Sequence, residues 1–429
     1  MNPVLLIPTY VSARSRMQAR GVTTTYDHMT ALSAPGELPR CLESLRKVRG
    51  LGEIIILVVA EPAVENQAAE KIRKLAAEYD DLSISVIGAP EMGVINQRMA
   101  QLGINVNKEI GLQGYGAVRN LGLLLANALG FDAAVFVDDD EIVDDEDFLE
   151  RAMYGLGKLT RRGVPILAKT GYYLNEQESF LSQSQDRWYN HFWEQGKTFN
   201  QWIMKAMKGP RLSRSNHVCG GCLALHKEAF KRVAFDPWIA RGEDLDYMLN
   251  LRMYGSDIWF DNKWVLHHLP PATKSEGMRF RQDIFRWLYE FRKVEYARTQ
   301  IDLMQIKPQS LEPYPGPFLE PGLQKRVKRT ALLRSIGRSD GKGYRKAAHS
   351  ASTDAAKYAE DNCAKYFKFQ YTWPTIMARL EDDAILKSVL GQSANQGQAR
   401  FEEQVAKGWS GGVDPGMTSE IRLNIGSEE

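Results

Sequence analysis

From the start of the chain, short aliphatic runs alternate with stretches whose apolar positions recur every three or four residues. Val4-Leu5-Leu6-Ile7 reads as a buried strand ended by Pro8-Thr9-Tyr10. Leu38, Cys41, Leu42, Leu45 and Val48 follow at helical spacing, and Gly50 and Gly52 stop that helix. Glu53 to Ala60 supplies a second strand; Val64, Ala68, Ile72, Leu75, Ala76 and Tyr79 a second helical stripe; Ser83 to Ile87 a third strand. Such alternation implies right-handed crossovers and an α/β fold with a mostly parallel sheet. A helix with Leu121, Leu124, Leu125, Ala128 and Leu129 on one face ends at Gly130. Ala133 to Val137 then fits a central strand covered on both faces. Phe148, Ala152 and Leu156 suit a helix, Pro165 to Leu174 and Leu223 to Leu225 suit strands, and a helix opening at Gly242 closes at Gly255. Trp264 to His268 is a last strand before Pro270-Pro271.

After Pro271 the pattern changes to a mainly helical extension, 271–429. Phe280 to Tyr296 forms a basic, aromatic amphipathic helix, and Pro313 to Gly322 a proline-rich strap. Lys325 to Lys346 is strongly basic; such a run solvates a helical face and could also attract anionic lipid. Phe401 to Glu429 reads as a polar tail. Within residues 1–270, Ser12 to Pro35 is a long polar loop with Arg14, Arg16 and Arg20, and 175–212 is an aromatic insertion. Helical spacing of Trp188, Phe192 and Trp202 in that insertion favours core packing, although aromatics also hold sugars and the segment is long enough for a lid.

Composition narrows the class. The 429 residues are 44% hydrophobic and 25% charged, ordinary for globular protein, and a net charge of +2 does not suit a nucleic-acid binder. Cys41, Cys219, Cys222 and Cys363 are too scattered for a disulfide framework, and Met1 to Tyr10 lacks a secretory leader pattern. The longest aliphatic run, Ile54 to Ala60, is too short to span a bilayer, so the expectation is a cytoplasmic chain that could dock on a membrane without crossing it.

The candidate chemistry gathers where strands end. Asp138-Asp139-Asp140-Glu141 directly follows the central strand, at the edge where open α/β sheets place ligands. Two unit charges ~4 Å apart repel by about 1 kcal/mol in water and about 4 kcal/mol at an effective dielectric near 20. No Lys or Arg lies close by in the chain, so a hard divalent cation, Mg2+ or Mn2+, is the natural partner; a solvated loop before a helix is the plainer alternative. Gly114-Tyr115-Gly116 opens the preceding helix, and Arg119 sits in its first turns, where a cation is electrostatically misplaced unless it grips an anion. Cys219-Gly220-Gly221-Cys222 has no second Cys-x-x-Cys to complete a zinc site; it reads as backbone approaching a ligand. Glu243-Asp244 in a first turn is either ordinary helix electrostatics or a general base, and His267-His268 ends a strand where a metal ligand could sit.

Taken in order, Ile7-Pro8-Thr9-Tyr10, Gly116-Ala117-Val118-Arg119-Asn120-Leu121-Gly122, Val137 to Glu141, Gly242-Glu243-Asp244 and His267 or His268 resemble the GT-A-fold glycosyltransferases, most of all family 2, over residues 3 to 270. The resemblance implies a Rossmann-like α/β domain and a UDP- or GDP-sugar donor. Pro8, Thr9 and Tyr10 would flank the base, Arg119 and Asn120 would lie near the donor, and Asp138 near the ribose with Asp139 beside it. Asp140, with Asp138 of the same Asp-x-Asp, would bind Mn2+ or Mg2+, and His267 or His268 would add a metal ligand. Gly220-Gly221 would border donor sugar and acceptor, and Asp244 of the Glu243-Asp244 pair would deprotonate the hydroxyl of a carbohydrate or small hydroxylated acceptor, with inversion. After the second strand the family carries acidic residues that read the nucleotide; here only Glu61 could serve, which leaves uridine or guanosine open. The acceptor does not carry over, and a homo-oligomer is compatible with the pattern. The rivals are a retaining GT-A synthase resembling mannosylglycerate or glucosyl-phosphoglycerate synthases, a nucleotidyltransferase, disfavoured because Pro8-Thr9-Tyr10 has no glycine cluster, and a non-catalytic sugar- or nucleotide-binding module.

Overall fold

A computed structural model describes residues 1–13, 26, 29–106, 108–183, 187–271 and 275–391. Arg14, Arg16, Arg20 and the tail 401–429 lie outside the described residues. The strands, in chain order, are β1 (Pro3–Ser12), β2 (Thr30–Ala31), β3 (Glu53–Ala60), β4 (Ser83–Ile87), β5 (Ala133–Phe136), β6 (Glu141–Ile142), β7 (Ala168–Leu174), β8 (Leu212–Arg214), β9 (Leu223–His226) and β10 (Trp259–His268). They form a sheet of order β4-β3-β1-β5-β9-β7-β10-β6, with β2 beside β1 and β8 beside β10. Neighbours are parallel from β4 to β5, β9 runs antiparallel to both its neighbours, and β7 pairs parallel with β10. The reversed β9 brings the residues just before it, Gly220 and Gly221, to the edge where β1, β5, β7 and β10 end.

Both faces of the sheet are buried, and alternation within single strands shows it. Val4 and Leu6 of β1, with Ile55, Leu57 and Val59 of β3, enter one core; Leu5 and Ile7, with Ile54, Ile56 and Val58, enter the other. The second core is covered by α1 (Leu38–Leu45), α2 (Glu65–Ala76) and α5 (Phe148–Met153), which supply Leu42, Ile72 and Phe148. The first takes α3 (Ala89–Gln101), α4 (Tyr115–Ala128), α7 (Lys227–Phe230) and α8 (Glu243–Met253). It continues without a break into α9 (Glu276–Ala297), α10 (Leu323–Gly337), α11 (Gly341–Ser350), α12 (Asp354–Arg379) and α13 (Ala384–Leu390) through Trp287, Val327, Tyr344, Trp373 and Leu386. The helical extension therefore shares a core with the sheet. Among the described residues no helix is long and apolar enough to cross a membrane.

Two sequence expectations need correcting. Pro8 does not end β1; the strand passes through it, paired with Leu57 of β3. On the other side β5 reaches only to Phe136, opposite Leu6, and Val137 N–H bonds to Leu6 O at 3.1 Å. Two residues further on, Pro8 turns its donor-less nitrogen to that same side, which β5 has already left, so no ladder bond is lost. Nor do Trp188, Phe192 and Trp202 share a helix: Trp188–Asn190 is a single tight turn, and α6 begins only later (Gln195–Lys208). Trp193 and Trp202 are core, whereas Trp188 is 59% exposed.

Candidate active site

The sheet's carboxyl edge is organised around one arginine. Arg119, in the second turn of α4, is only 5% exposed. Its Nε donates to Glu243 Oε1 at 2.8 Å, Nη1 to Gly220 O at 3.0 Å, and Nη2 to Asp138 Oδ1 at 3.1 Å, while Cζ lies 4.9 Å from the centre of the Phe136 ring. Burial alone would lower its pKa, but Asp138, Glu243 and Tyr10 outweigh that and raise it well above the ordinary arginine value. The cation in a helix's first turns is thus explained by two carboxylates and a carbonyl. The partner of the acidic run is a cation 19 positions away in the chain and in contact in space. α4 reaches this depth because Gly116 packs against backbone: a Cβ there would stand 2.1 Å from Asp236 O.

The four acids do not act as one cluster. Asp139 turns aside to accept from Thr9 Oγ1 at 2.6 Å, and burial, with Asp140 nearby, pushes its carboxyl up to about 8. Glu141 is fully buried beneath the Gly220-Gly221 turn, where it accepts from Asp138 N–H at 2.8 Å and burial raises its pKa well above the ordinary value. The Tyr173 hydroxyl accepts from Gly221 N–H at 2.7 Å. A Cβ on Gly221 would fall 2.1 Å from the Glu141 carboxylate, and one on Gly220 would fall 2.8 Å from Arg119 and 3.4 Å from Asp244. Glu141 and Tyr173 are the members of the site that sequence reasoning did not single out. The continuous acidic run hid that alternate residues serve the backbone.

Asp138 and Asp140 remain, the latter only 7% exposed. Asp138 keeps 31% of its side-chain surface open, and burial raises its pKa against the opposing pull of Arg119. Asp140 Oδ2 lies 3.5 Å from His268 Nε2, and the His268 ring stacks on Tyr173 at 4.9 Å. Opposite Ile142 in the register, His267 points to the other face, where Nε2 lies 3.0 Å from Glu178 and Nδ1 2.7 Å from Asp144. Among the described residues no three His, Cys, Asp or Glu side chains converge enough to hold a metal ion by themselves. Asp140 and His268 offer an oxygen and a nitrogen at the separation of neighbouring ligands on an ion with bonds of ~2.1 Å, and such ions habitually take one or two carboxylates and complete their shell with phosphate and water. The pair fits a divalent cation that arrives with a diphosphate.

Glu243 and Asp244 part company at the start of α8. Glu243 is buried against Arg119; Asp244 is half-buried, accepts from its neighbour Leu245 N–H at 2.7 Å, and opens into a cavity of about 1060 Å3 that His268 also lines. Gly242, at φ +71°, starts the helix with the Arg286 guanidinium laid against it, since a Cβ would meet Cζ at 2.1 Å. The insertion contributes Tyr189, Trp193 and Phe199 to the cavity, and α9 and α10 contribute Arg279 and Arg334.

Other predicted site residues are held by protein. Asn120 is fully buried, with Nδ2 donating to Glu109 O and Phe235 O at 3.0 Å each and Oδ1 accepting from Phe235 N–H at 2.8 Å. Glu61, at the end of β3, accepts from Ala13 N–H at 3.1 Å. Tyr10 packs against Tyr26 at 4.3 Å and Tyr115 at 5.7 Å, and burial raises its phenol pKa. Cys219 and Cys222 are buried free thiols, pushed up by burial.

No family model matches this chain, and no curated protein matches it in sequence. Solved structures do. The mannosyltransferase PcManGT from Pyrobaculum calidifontis in complex with GDP-Man and Mn2+ is 14% identical at a TM-score of 0.42, over 90% of this chain and 87% of that one. S. aureus TarS is 13% identical at 0.33, over 82% of this chain and 55% of that one. GalNAc-T7 with UDP, GalNAc and Mn2+ is 12% identical at 0.38, over 82% of this chain and 57% of that one, so the chain spans a little over half the length of these last two.

Proposed function

We propose that this chain is a glycosyltransferase that moves a sugar from a UDP- or GDP-linked donor to a carbohydrate or small hydroxylated acceptor, with Mn2+ or Mg2+ bound and with inversion at the anomeric carbon. The observation that carries the reading is a meeting at one sheet edge: Asp140 lies beside His268, and Asp244 opens into a cavity, roomy enough for an acceptor, that the same histidine lines. In this reading the nucleotide lies over the ends of β1, β3 and β5, along Thr9, Tyr10 and Glu61, with Asp138 near its ribose. Asp140 and His268 hold the divalent ion, whose charge makes the departing nucleoside diphosphate a competent leaving group. Arg119 fixes Asp138 and Glu243 in advance of the reaction, so neither carboxylate must reorganise during transfer. Asp244 takes the proton of the acceptor hydroxyl, and Gly220 has no side chain to crowd it or Arg119.

The test is a thermal-shift titration with UDP and GDP, each with and without Mn2+. A ligand that binds only the folded state raises the apparent Tm, and one nucleotide is expected to do so in a metal-dependent way. No shift with either nucleotide under any metal condition would sink the reading. The imidazole beside Asp140 also suits a retaining synthase of the same architecture. An α-linked product from an α-linked donor would remove Asp244 from the base role.

The outward faces of α10 and α11 add a peripheral membrane contact. Lys325, Lys328, Arg329, Leu332 and Ile336 share one exposed face of α10, and Lys342, Arg345, Lys346 and His349 one exposed face of α11. Leu332 and Ile336 are 45% and 77% exposed. Cations around aliphatic side chains suit an anionic bilayer surface.

A further inference from the structure

The cavity at Asp244 is larger than the attacking hydroxyl requires, and its walls specify more. At about 1060 Å3 it lies at the top of the ~300–1,000 Å3 span of small-molecule sites. One wall is aromatic: Tyr189, Trp193 and Phe199 of the insertion, with Tyr314 of the proline-rich strap. The other is ionic and comes from α9 and α10. There Arg338 meets Glu276 at 2.5 Å and Arg241 meets Asp283 at 3.3 Å, while across the cavity Lys197 meets Glu194 at 3.0 Å.

Arg334 differs from these. Its Nε donates to the Asn190 side-chain oxygen at 3.0 Å, and its guanidinium lies over the Phe280 ring at 4.3 Å. Among the described residues no carboxylate comes within ion-pair distance of it. Burial depresses its pKa below the usual arginine value, with Arg338 adding to it and Tyr344, Asp283 and Glu276 opposing it from a distance. A guanidinium fork in this state, on a cavity wall, matches a phosphate or carboxylate. His217 belongs with the aromatic wall. Burial and then Arg286 hold its pKa at about 3, so it is neutral. Its ring packs with Phe199, Trp202 and Tyr314, so it completes the flat wall of the cavity as an uncharged ring.

We propose that this cavity binds an acceptor sugar bearing an anionic group, phosphate or carboxylate, with the anion at Arg334 and the hydroxyl to be glycosylated at Asp244. Only the last contact rests on the transferase reading. In that step the acceptor oxygen bonds to the anomeric carbon, the nucleoside diphosphate leaves with the electron pair, and Asp244 retains the proton. The aromatic wall carries the sugar ring, which explains why one cavity combines flat apolar faces with an arginine short of a carboxylate.

Isothermal titration of the full chain with glucose 6-phosphate, glucuronate and glucose at low salt tests this, comparing wild type with Arg334→Gln and Arg334→Lys. One or both charged sugars should bind at least about tenfold more tightly than glucose, the scale of a charge-assisted hydrogen bond. Arg334→Gln should erase that preference and Arg334→Lys keep part of it, with the melting temperature of each variant confirming its fold. The tighter of the two charged sugars identifies phosphate or carboxylate. Equal binding of all three sugars, no binding by any, or an undiminished preference in Arg334→Gln overturns the proposal. A nucleotide shift with Mn2+ alongside no charged preference overturns it alone; a charged preference without any nucleotide shift supports it and overturns only the transferase reading.

Discussion

At the scale of single residues, the division of labour between Asp140 and Asp244 makes the sharpest prediction. Asp140 lies next to His268, the pair proposed to hold the ion, whereas Asp244 touches neither Asp138 nor Arg119 by hydrogen bond and faces the cavity. Asp140→Ala is therefore expected to abolish the Mn2+-dependent part of nucleotide binding in a thermal-shift assay. Asp244→Asn should leave that shift intact while turnover falls by ~10²-fold or more, the scale of a lost general base. Equal loss of nucleotide binding in both variants would contradict the assignment. These acids were legible in the sequence because four adjacent carboxylates at the end of an aliphatic strand repel one another and call for a cation. The cation they meet was not legible. Arg119 is in contact with Asp138 at 3.1 Å, yet 19 positions away in the chain, and a linear reading sees only neighbours. The same limit applies to glycines: Gly116 suggested room for an anion, and what occupies that room is the backbone oxygen of Asp236.

At the scale of elements, hydrophobic period read the sheet well and the helices unevenly. Glu53–Ala60 and Ser83–Ile87 are strands over the same residues that the pattern indicated: the first is a continuous aliphatic run buried on both faces, the second an edge strand whose burial alternates. α3 was invisible: its buried residues are only Met92, Ile95 and Met99, and Pro90 and Gly93 interrupt the stripe. In α10 the two faces have opposite duties. Val327, Thr330 and Ala331 are buried, Arg334 and Arg338 line the cavity, and the remaining face carries Lys325, Lys328, Arg329, Leu332 and Ile336 outward. No carboxylate among the described residues pairs with those cations or with Lys342, Arg345 and Lys346 of α11. Each basic residue near an anionic surface adds about 1 kcal/mol of attraction. Reversing three of them, Lys342→Glu, Arg345→Glu and Lys346→Glu, should lower co-sedimentation with phosphatidylserine vesicles by at least about tenfold. Melting temperature should hardly move, since all three side chains are exposed. Undiminished vesicle binding, or binding equally strong to neutral phosphatidylcholine, would leave these faces as ordinary solvated surface, and preferential binding to nucleic acid would assign the charge to another partner.

At the scale of the whole molecule, the extension braces the helix that carries Asp244. α9 presents Arg286, Glu290 and Lys293 at helical spacing to the start of α8: Arg286 lies against Gly242, and Lys293 bonds to Asp246 and to Asp236 at 2.7 Å each. Tyr289 also donates to Asp236, at 2.9 Å, so the loop that packs on Gly116 and the helix that carries Asp244 are tied to the same α9 face. The network buries more acid than it satisfies. Glu290 is fully buried, receives Arg286 Nε on Oε1 at 3.1 Å, and has no partner on Oε2. Burial pushes its carboxyl up to about 8 despite Arg286, and Asp246 likewise rises to about 6 despite Lys293. For Glu290, across the range from the ordinary glutamate value of about 4.3 to about 8, the folded chain binds a proton that the unfolded chain has already released, so stability falls as pH rises. Glu290→Gln keeps the shape and removes the titration. Against wild type, the variant should therefore gain stability between about pH 5 and pH 8, by a few kcal/mol in chemical denaturation, whatever constant offset the loss of the Arg286 contact imposes. A difference that stays flat across that interval would mean that Glu290 is ionised throughout, and that Arg286 compensates its burial in full. The measurement thus decides whether the joint between sheet and extension is set by a charged pair or by a neutral acid.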